Sequence, residues 1–154
     1  MLSCAVSSQW AAHYAADAGP GVPMGQELPH ARLRVLIADD NPIVRDALRV
    51  LLETEPDLHV VAVAGDATEA VELAQRCAPE VAVLDVRIPG GGAWMARELR
   101  HRVPGLKLMA FSAHSDSGSI AQMASAGVTE YLVKGSPNTE IIAAIRRLGR
   151  RVSG

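Results

Sequence analysis

The chain has 154 residues, of which 49% are apolar but only 3% aromatic, and its formal net charge is −2. This length fits one domain with an aliphatic core, and the charge gives no general attraction to nucleic acid or anionic lipid. Two isolated cysteines, Cys4 and Cys77, exclude a disulfide framework or a zinc site and indicate a reducing, cytoplasmic location. No apolar run reaches the roughly 18 residues that a membrane-spanning helix needs.

Residues 1–31 differ from the rest of the chain. Glycines and prolines there break any element longer than a helical turn, so a disordered leader is predicted. One domain is predicted over residues 32–150. Residues 151–154 are expected to be a short basic tail or a truncated linker.

Strand and helix patterns alternate five times from Leu33 onward. Apolar runs predict strands at residues 35–38, 58–64, 81–84, 106–111 and 129–133. Apolar residues at helical spacing follow each run; they include Val44, Ala47, Leu48, Leu51 and Leu52, then Ala70, Val71, Leu73 and Ala74, then Met95 and Leu99, then Ile120, Met123 and Ala124, and finally Ile141, Ile142, Ile145 and Leu148. This alternation with short connections predicts parallel βαβ units.

Local signals predict several helix ends. Pro42 suits the first position of the first helix, where its missing N–H costs little. Asp66 or Thr68 is expected to cap the second helix. Gly127 is expected to end the fourth helix in a left-handed conformation.

Four of the five predicted strands end in a side chain suited to handling a phosphoryl group. Asp39 and Asp40 follow the first strand, Asp85 the third, Ser112 the fourth and Lys134 the fifth. Because ligands bind beyond the carboxyl ends of strands in an open parallel sheet, these groups should meet in one crevice. Adjacent carboxylates suit Mg²⁺, and a carboxylate can also attack phosphorus.

Each of these groups also has a purely structural explanation. Asp39-Asp40 could be a helix cap and a solvated acid, and Asp85 a loop acid bound by backbone N–H groups. Ser112 could be a turn serine, and Lys134 a solvated lysine. Their joint placement at successive strand ends favours a common site.

Two segments, Arg34–Arg45 and Ala126–Gly135, resemble the receiver domain of two-component response regulators. They are most similar to the subfamily that usually carries a LuxR-type helix-turn-helix output. The resemblance covers residues 33–150. It implies a flavodoxin-like, doubly wound α/β fold with five parallel strands in the order 2-1-3-4-5 and helices on both faces.

The resemblance also implies the roles of the site residues. Asp85 would be the phospho-acceptor. Mg²⁺ would be held by Asp39, Asp40, Asp85 and the backbone carbonyl of Arg87. Lys134 would be the lysine that engages Asp85 and then the phosphate, acting as a single charged donor.

Ser112 and Tyr131 would form the switch of such a domain. Phosphorylation by a histidine kinase or a small phosphodonor would draw Ser112 inward and let Tyr131 turn from an exposed to a buried rotamer. The fourth helix, fifth strand and fifth helix would then present an altered face, which the resemblance makes a possible homodimer or partner surface. Direct nucleic-acid binding and membrane contact are not expected, and no effector is indicated.

The sequence also bears on three other functions. A haloacid-dehalogenase-type phosphatase needs a second aspartate where Arg87 stands, and Lys134–Ser136 has the wrong order for a nucleotide-binding loop. A receiver-like interaction scaffold that works without phosphorylation remains an alternative. The protein is therefore expected to catalyse only its own phosphorylation and dephosphorylation, and not to be an enzyme in the usual sense. Within the site, Pro89–Gly92 lacks the acid-glycine pair common in this loop, and a mobile loop is expected there.

Overall fold

A computed structural model describes residues 32–150. Within them, the strands are β1 Leu33–Ala38, β2 Leu58–Ala64, β3 Val81–Leu84, β4 Lys107–Ser112 and β5 Glu130–Val133. They form one parallel sheet in the order β2-β1-β3-β4-β5, as predicted. The predicted leader over residues 1–31 and the tail over 151–154 lie outside the described residues.

A helix follows each strand. The helices are α1 Pro42–Glu53, α2 Ala67–Cys77, α3 Gly92–Arg102, α4 Ser117–Ser125 and α5 Asn138–Gly149. Asp66, and not Thr68, caps α2 by accepting a hydrogen bond from the Glu69 N–H. Gly127 follows α4 at a φ of 103°, which confirms the predicted left-handed end. No helix of the described segment is long and apolar enough to cross a bilayer.

The sheet is covered on both faces, as expected for a buried parallel sheet. The two cores use alternate residues of the same strands. Beneath α2, α3 and α4, the core contains Leu36, Leu84, Leu99, Leu108 and Met123. Beneath α1 and α5, it contains Ile37, Leu52, Val83, Met109 and Ile145.

Ala47, which the helical spacing predicted to face inward, is exposed. It lies on the side of α1, whose buried residues are Leu48 and Leu52. Of the apolar residues that mark α4, Met123 is buried, whereas Ile120 and Ala124 are exposed. Because successive helical residues are about 100° apart, a narrow buried stripe leaves its immediate neighbours in solvent.

The register of the sheet brings the predicted site residues to one edge. Ala38 pairs with Leu84, so Asp39 and Asp85 follow paired residues on adjacent strands. Ser112 pairs with Val133, and Lys134 comes one residue later. Their side chains therefore project from the carboxyl ends of β1, β3, β4 and β5.

Candidate functional site

Three acidic side chains cluster at the carboxyl edge of the sheet. One carboxylate oxygen from each of Asp39, Asp40 and Asp85 lies within 4.8 Å of the other two. Asp39 is only 2% exposed and Asp85 only 6%, whereas Asp40 is exposed. The structural explanation of Asp39-Asp40 as a helix cap is wrong, because Asn41 caps α1 by accepting from the Ile43 N–H.

Lys134 supplies the positive charge of this cluster. Its Nζ lies 2.8 Å from Asp39 Oδ2 and 3.7 Å from Asp85 Oδ1. Lys134 was predicted to pair with Asp85, but its shorter contact is with Asp39. The other oxygen of Asp39 accepts a hydrogen bond from the Asn41 N–H at 2.9 Å. The negative charge of Asp39 is thus well compensated by Lys134 and the Asn41 N–H, and the negative charge of Asp85 is compensated less well.

The electrostatics of Asp85 reflect this imbalance. Burial raises the pKa of its carboxyl, and the neighbouring Asp39 charge raises it further. Lys134 and a hydrogen bond from the Arg87 N–H oppose that rise in pKa. A buried carboxylate beside two others is costly, so the cluster favours a cation that can coordinate all three.

The predicted switch residues are connected through the loop after β4. Ser112 is fully buried, and its Oγ accepts a hydrogen bond from the His114 N–H at 3.1 Å. The Tyr131 hydroxyl donates to the His114 carbonyl oxygen. Tyr131 is half-buried and packs against the core beneath α2, α3 and α4.

Arg87 is placed at the site by its backbone. The Arg87 N–H donates to the Asp85 carboxylate, whereas its side chain is exposed. Asp116, which caps α4, has a lowered pKa chiefly because its carboxylate accepts hydrogen bonds from the Ser119 N–H and hydroxyl, and the Arg87 charge adds a small further lowering of that pKa.

The glycine-rich loop between β3 and α3 makes backbone hydrogen bonds to its surroundings, and the mobility expected from its sequence stays a prediction. The Gly92 N–H donates to the Val86 carbonyl, and the Pro89 carbonyl accepts from the Ala67 N–H at the start of α2. A Cβ on Gly92 would lie 2.4 Å from the Val86 carbonyl oxygen. Glycine at 92 thus permits the close backbone contact of this loop.

Sequence reasoning missed two contacts to Asp39. Asn41 was included only within the segment Arg34–Arg45, but its N–H binds the Asp39 carboxylate. Arg45 was noted only within a similar segment, yet its Nη1 donates to the Asp39 carbonyl at 3.0 Å. A cation one turn into the helix that follows an acidic pair is the signal that could have found Arg45.

Comparisons with known proteins agree with this geometry. The model of the response regulator receiver domain family matches residues 35–146. The DNA-binding transcriptional activator DevR/DosR of Mycobacterium tuberculosis is 34% identical over 118 residues, covering 76% of this chain and 54% of the relative. The probable transcriptional regulatory protein NarL of the same species is 33% identical over 115 residues, covering 74% and 53%. The chain spans about half the length of these curated relatives.

Solved structures of response regulators are also similar to this chain. The receiver domain of the M. tuberculosis regulator NarL superposes with a TM-score of 0.74 at 32% identity, covering 77% of this chain and 97% of that one. A LuxR-family response regulator from Aurantimonas gives a TM-score of 0.73 at 35% identity, covering 79% and 89%. The chain therefore belongs to the response regulator receiver domain family of two-component signalling proteins.

Proposed function

We propose that this receiver domain accepts a phosphoryl group from a histidine kinase on Asp85, in a reaction that depends on Mg²⁺. The observation that carries the proposal is the buried Asp85 carboxylate, placed within 4.8 Å of two other carboxylates and 3.7 Å from the Lys134 ammonium. The chemistry would be confined to the domain's own phosphorylation and dephosphorylation. A cytoplasmic location belongs to the same proposal.

The donor set fits the proposed metal. Three carboxylates offer the hard oxygen ligands that Mg²⁺ prefers, and exposure of Asp40 leaves room for the waters that this ion retains. Asp39, Asp40, Asp85 and the backbone carbonyl of Arg87 are the proposed ligands. When bound, the ion would shield the negative charges of the nucleophile and of the incoming phosphoryl group.

The transfer is a substitution at phosphorus. An oxygen of Asp85 forms the new P–O bond, and the P–N bond of the kinase phosphohistidine breaks, returning the electron pair to the imidazole. With acetyl phosphate, the P–O bond to the acetyl group breaks and acetate leaves. Lys134 already lies between Asp39 and Asp85, so its ammonium can pair with the phosphoryl oxygens as they arrive.

Ser112 and Tyr131 are proposed to report the new charge. The Ser112 oxygen accepts from His114, which leaves its own O–H available to a phosphoryl oxygen. Any shift of Ser112 would move the His114 carbonyl and hence the Tyr131 hydroxyl. Phosphorylation biases this arrangement only through its differential contacts. The proposed output is the face formed by α4, β5 and α5, as a homodimer or partner surface, without direct nucleic-acid contact.

A scaffold that acts without phosphorylation is the second candidate. Tyr131 already contacts the His114 carbonyl, and Lys134 already neutralises Asp39. A domain held in this arrangement could bind a partner without receiving a phosphoryl group. In that case, Asp85→Asn should bind the partner as well as the wild type.

Incubation with Mg²⁺ and acetyl phosphate, followed by intact-mass measurement, tests the main proposal. The wild type should gain one phosphoryl group, whereas Asp85→Asn should gain none. Asp46→Asn is the matched control, since Asp46 is an exposed aspartate on α1, and it should behave as the wild type. Labelling that persists in Asp85→Asn, or the absence of labelling in the wild type, would contradict the proposal.

A further inference from the structure

We infer that Arg45 is a positioning residue for the acidic pair and sets the affinity of this site for divalent cations. Arg45 lies in the first turn of α1, and its Nη1 donates to the backbone carbonyl of Asp39 at 3.0 Å. The inference rests on the proposed metal site, because it assigns Arg45 a role in holding the ligands of that site.

The contact fixes the peptide unit between Asp39 and Asp40. A peptide bond is planar, so anchoring the Asp39 carbonyl also orients the N–H and Cα of Asp40. The Asp39 N–H is held as well, by a 3.0 Å bond to the Ala64 carbonyl. The backbone of Asp39 is therefore fixed on both sides, by β2 and by Arg45.

Asp40 depends most on this anchoring. Its side chain is exposed, and none of the hydrogen bonds within residues 32–150 involves its carboxylate. The Asp39 carboxylate, in contrast, is held by Asn41 and Lys134. The placement of the Asp40 carboxylate thus depends on its backbone, which Arg45 restrains through the Asp39 carbonyl.

Gly65 provides the space that Arg45 occupies. A Cβ built on Gly65, just after β2, would lie 2.6 Å from Arg45 Nη1. The φ of Gly65 is not positive, so an alanine there is not strained by its backbone and acts through this contact. Gly65→Ala therefore displaces the guanidinium group while the positive charge stays in the protein.

This pair of residues allows a double-mutant test. Mg²⁺ titrations of the full chain, followed by backbone amide NMR, would compare the wild type with Arg45→Ala, Arg45→Lys, Gly65→Ala and the double variant Arg45→Ala/Gly65→Ala. Loss of an outer contact to a metal ligand typically weakens metal affinity 10–100-fold, so we expect Arg45→Ala and Gly65→Ala each to bind Mg²⁺ about tenfold more weakly. Arg45→Lys retains a donor and should recover most of the affinity.

The double variant should bind no more weakly than Arg45→Ala, because alanine at 65 acts only by displacing Arg45. Arg97→Ala, which removes an exposed cation from α3, should match the wild type. Thermal unfolding without Mg²⁺ separates loss of fold from loss of positioning, since a purely structural role would lower stability and leave the Mg²⁺ affinity of the folded protein unchanged.

Unchanged or tighter Mg²⁺ binding by folded Arg45→Ala would overturn the inference, and so would additive losses in the double variant. Should Arg45→Ala not fold, the comparison of Gly65→Ala with Arg45→Lys decides: weaker binding by the first and near-normal binding by the second support the inference. A wild type that binds no Mg²⁺ would instead contradict the metal site itself, a failure that is seen before any variant is compared.

Discussion

Replacing the proposed phospho-acceptor should stabilise the metal-free protein. Asp85 is 6% exposed and lies near two other carboxylates, with one ammonium 3.7 Å away. Asp85→Asn removes the charge but keeps an oxygen that can accept from the Arg87 N–H. We expect its free energy of unfolding without metal to exceed that of the wild type.

The magnitude follows from the charges around Asp85. At an effective dielectric constant of about 20, two unit charges 4 Å apart interact by about 4 kcal/mol. The attraction of Lys134 at 3.7 Å and the repulsion of Asp39 within 4.8 Å therefore nearly cancel. The remaining cost is desolvation of the carboxylate, which exceeds the about 1–3 kcal/mol of a neutral polar group, plus a screened repulsion from exposed Asp40. A gain of about 1–2 kcal/mol is expected, because the asparagine must also be desolvated.

Urea unfolding in EDTA and in Mg²⁺ measures this effect. In EDTA, Asp85→Asn should have the higher midpoint. Mg²⁺ should stabilise the wild type more than the variant, by about 2.7 kcal/mol at a hundred times the dissociation constant if the variant does not bind. Asp46→Asn controls for the loss of an exposed aspartate. If Asp85→Asn were less stable than the wild type in EDTA, the reasoning about an under-compensated carboxylate would be refuted.

Three further predictions concern other parts of the molecule. Arg146 donates to Asp57 and Glu55, and its hydrogen bond to Asp57 lowers the pKa of that carboxyl from its usual 3.8. The stabilisation from this ion pair is complete above pH 3.8 and is lost as pH falls through the lower folded-state pKa. Arg146→Met should therefore cost about 1 kcal/mol of unfolding free energy at pH 7 and nothing in strong acid, as measured by urea unfolding at both pH values. Gly92→Ala places a Cβ 2.4 Å from the Val86 carbonyl oxygen and should cost about 1–3 kcal/mol, whereas Gly118→Ala in α4, with its nearest contact at 3.4 Å, should cost nothing measurable in thermal unfolding. Tyr131→Phe removes the donor to the His114 carbonyl; it should leave Asp85 phosphorylation intact but reduce the phosphorylation-dependent change in hydrogen exchange of α4, β5 and α5, and an unchanged response would exclude Tyr131 as the switch.

The fold was predictable because the strands are continuous apolar runs that are easily recognised in the sequence. Val81–Leu84 is apolar at every position, as only a strand buried on both faces requires, and it is the central strand β3. The site was predictable for a related reason. Parallel strands end at one edge, so a polar residue directly after each strand is brought to the same place, and this juxtaposition is what the structure has for Asp39, Asp85 and Lys134.

Other features depend on distances that a sequence does not encode. Lys134 has a long, flexible side chain, and its position in the sequence does not decide between Asp39 and Asp85. The loop after Pro89 was expected to be mobile because it lacks an acid-glycine pair, and the sequence did not reveal that the missing Cβ of Gly92 allows a close backbone contact with Val86. The position of Arg45 one turn into α1 is visible in the sequence, but its contact with the Asp39 carbonyl is not, because every residue has a backbone carbonyl and its type gives no hint of this partner.

The central claim is that the carboxylates at the ends of β1 and β3 hold Mg²⁺ beside a phosphorylated Asp85. A crystal structure with Mg²⁺ and beryllofluoride, a phosphoryl mimic, tests it most directly. The account predicts beryllium bonded to an Asp85 carboxylate oxygen, with Mg²⁺ ligated by Asp39, Asp40, Asp85 and the Arg87 carbonyl, and with Lys134 on a fluorine. Beryllofluoride bound to another residue, or Mg²⁺ bound away from these carboxylates, would contradict it.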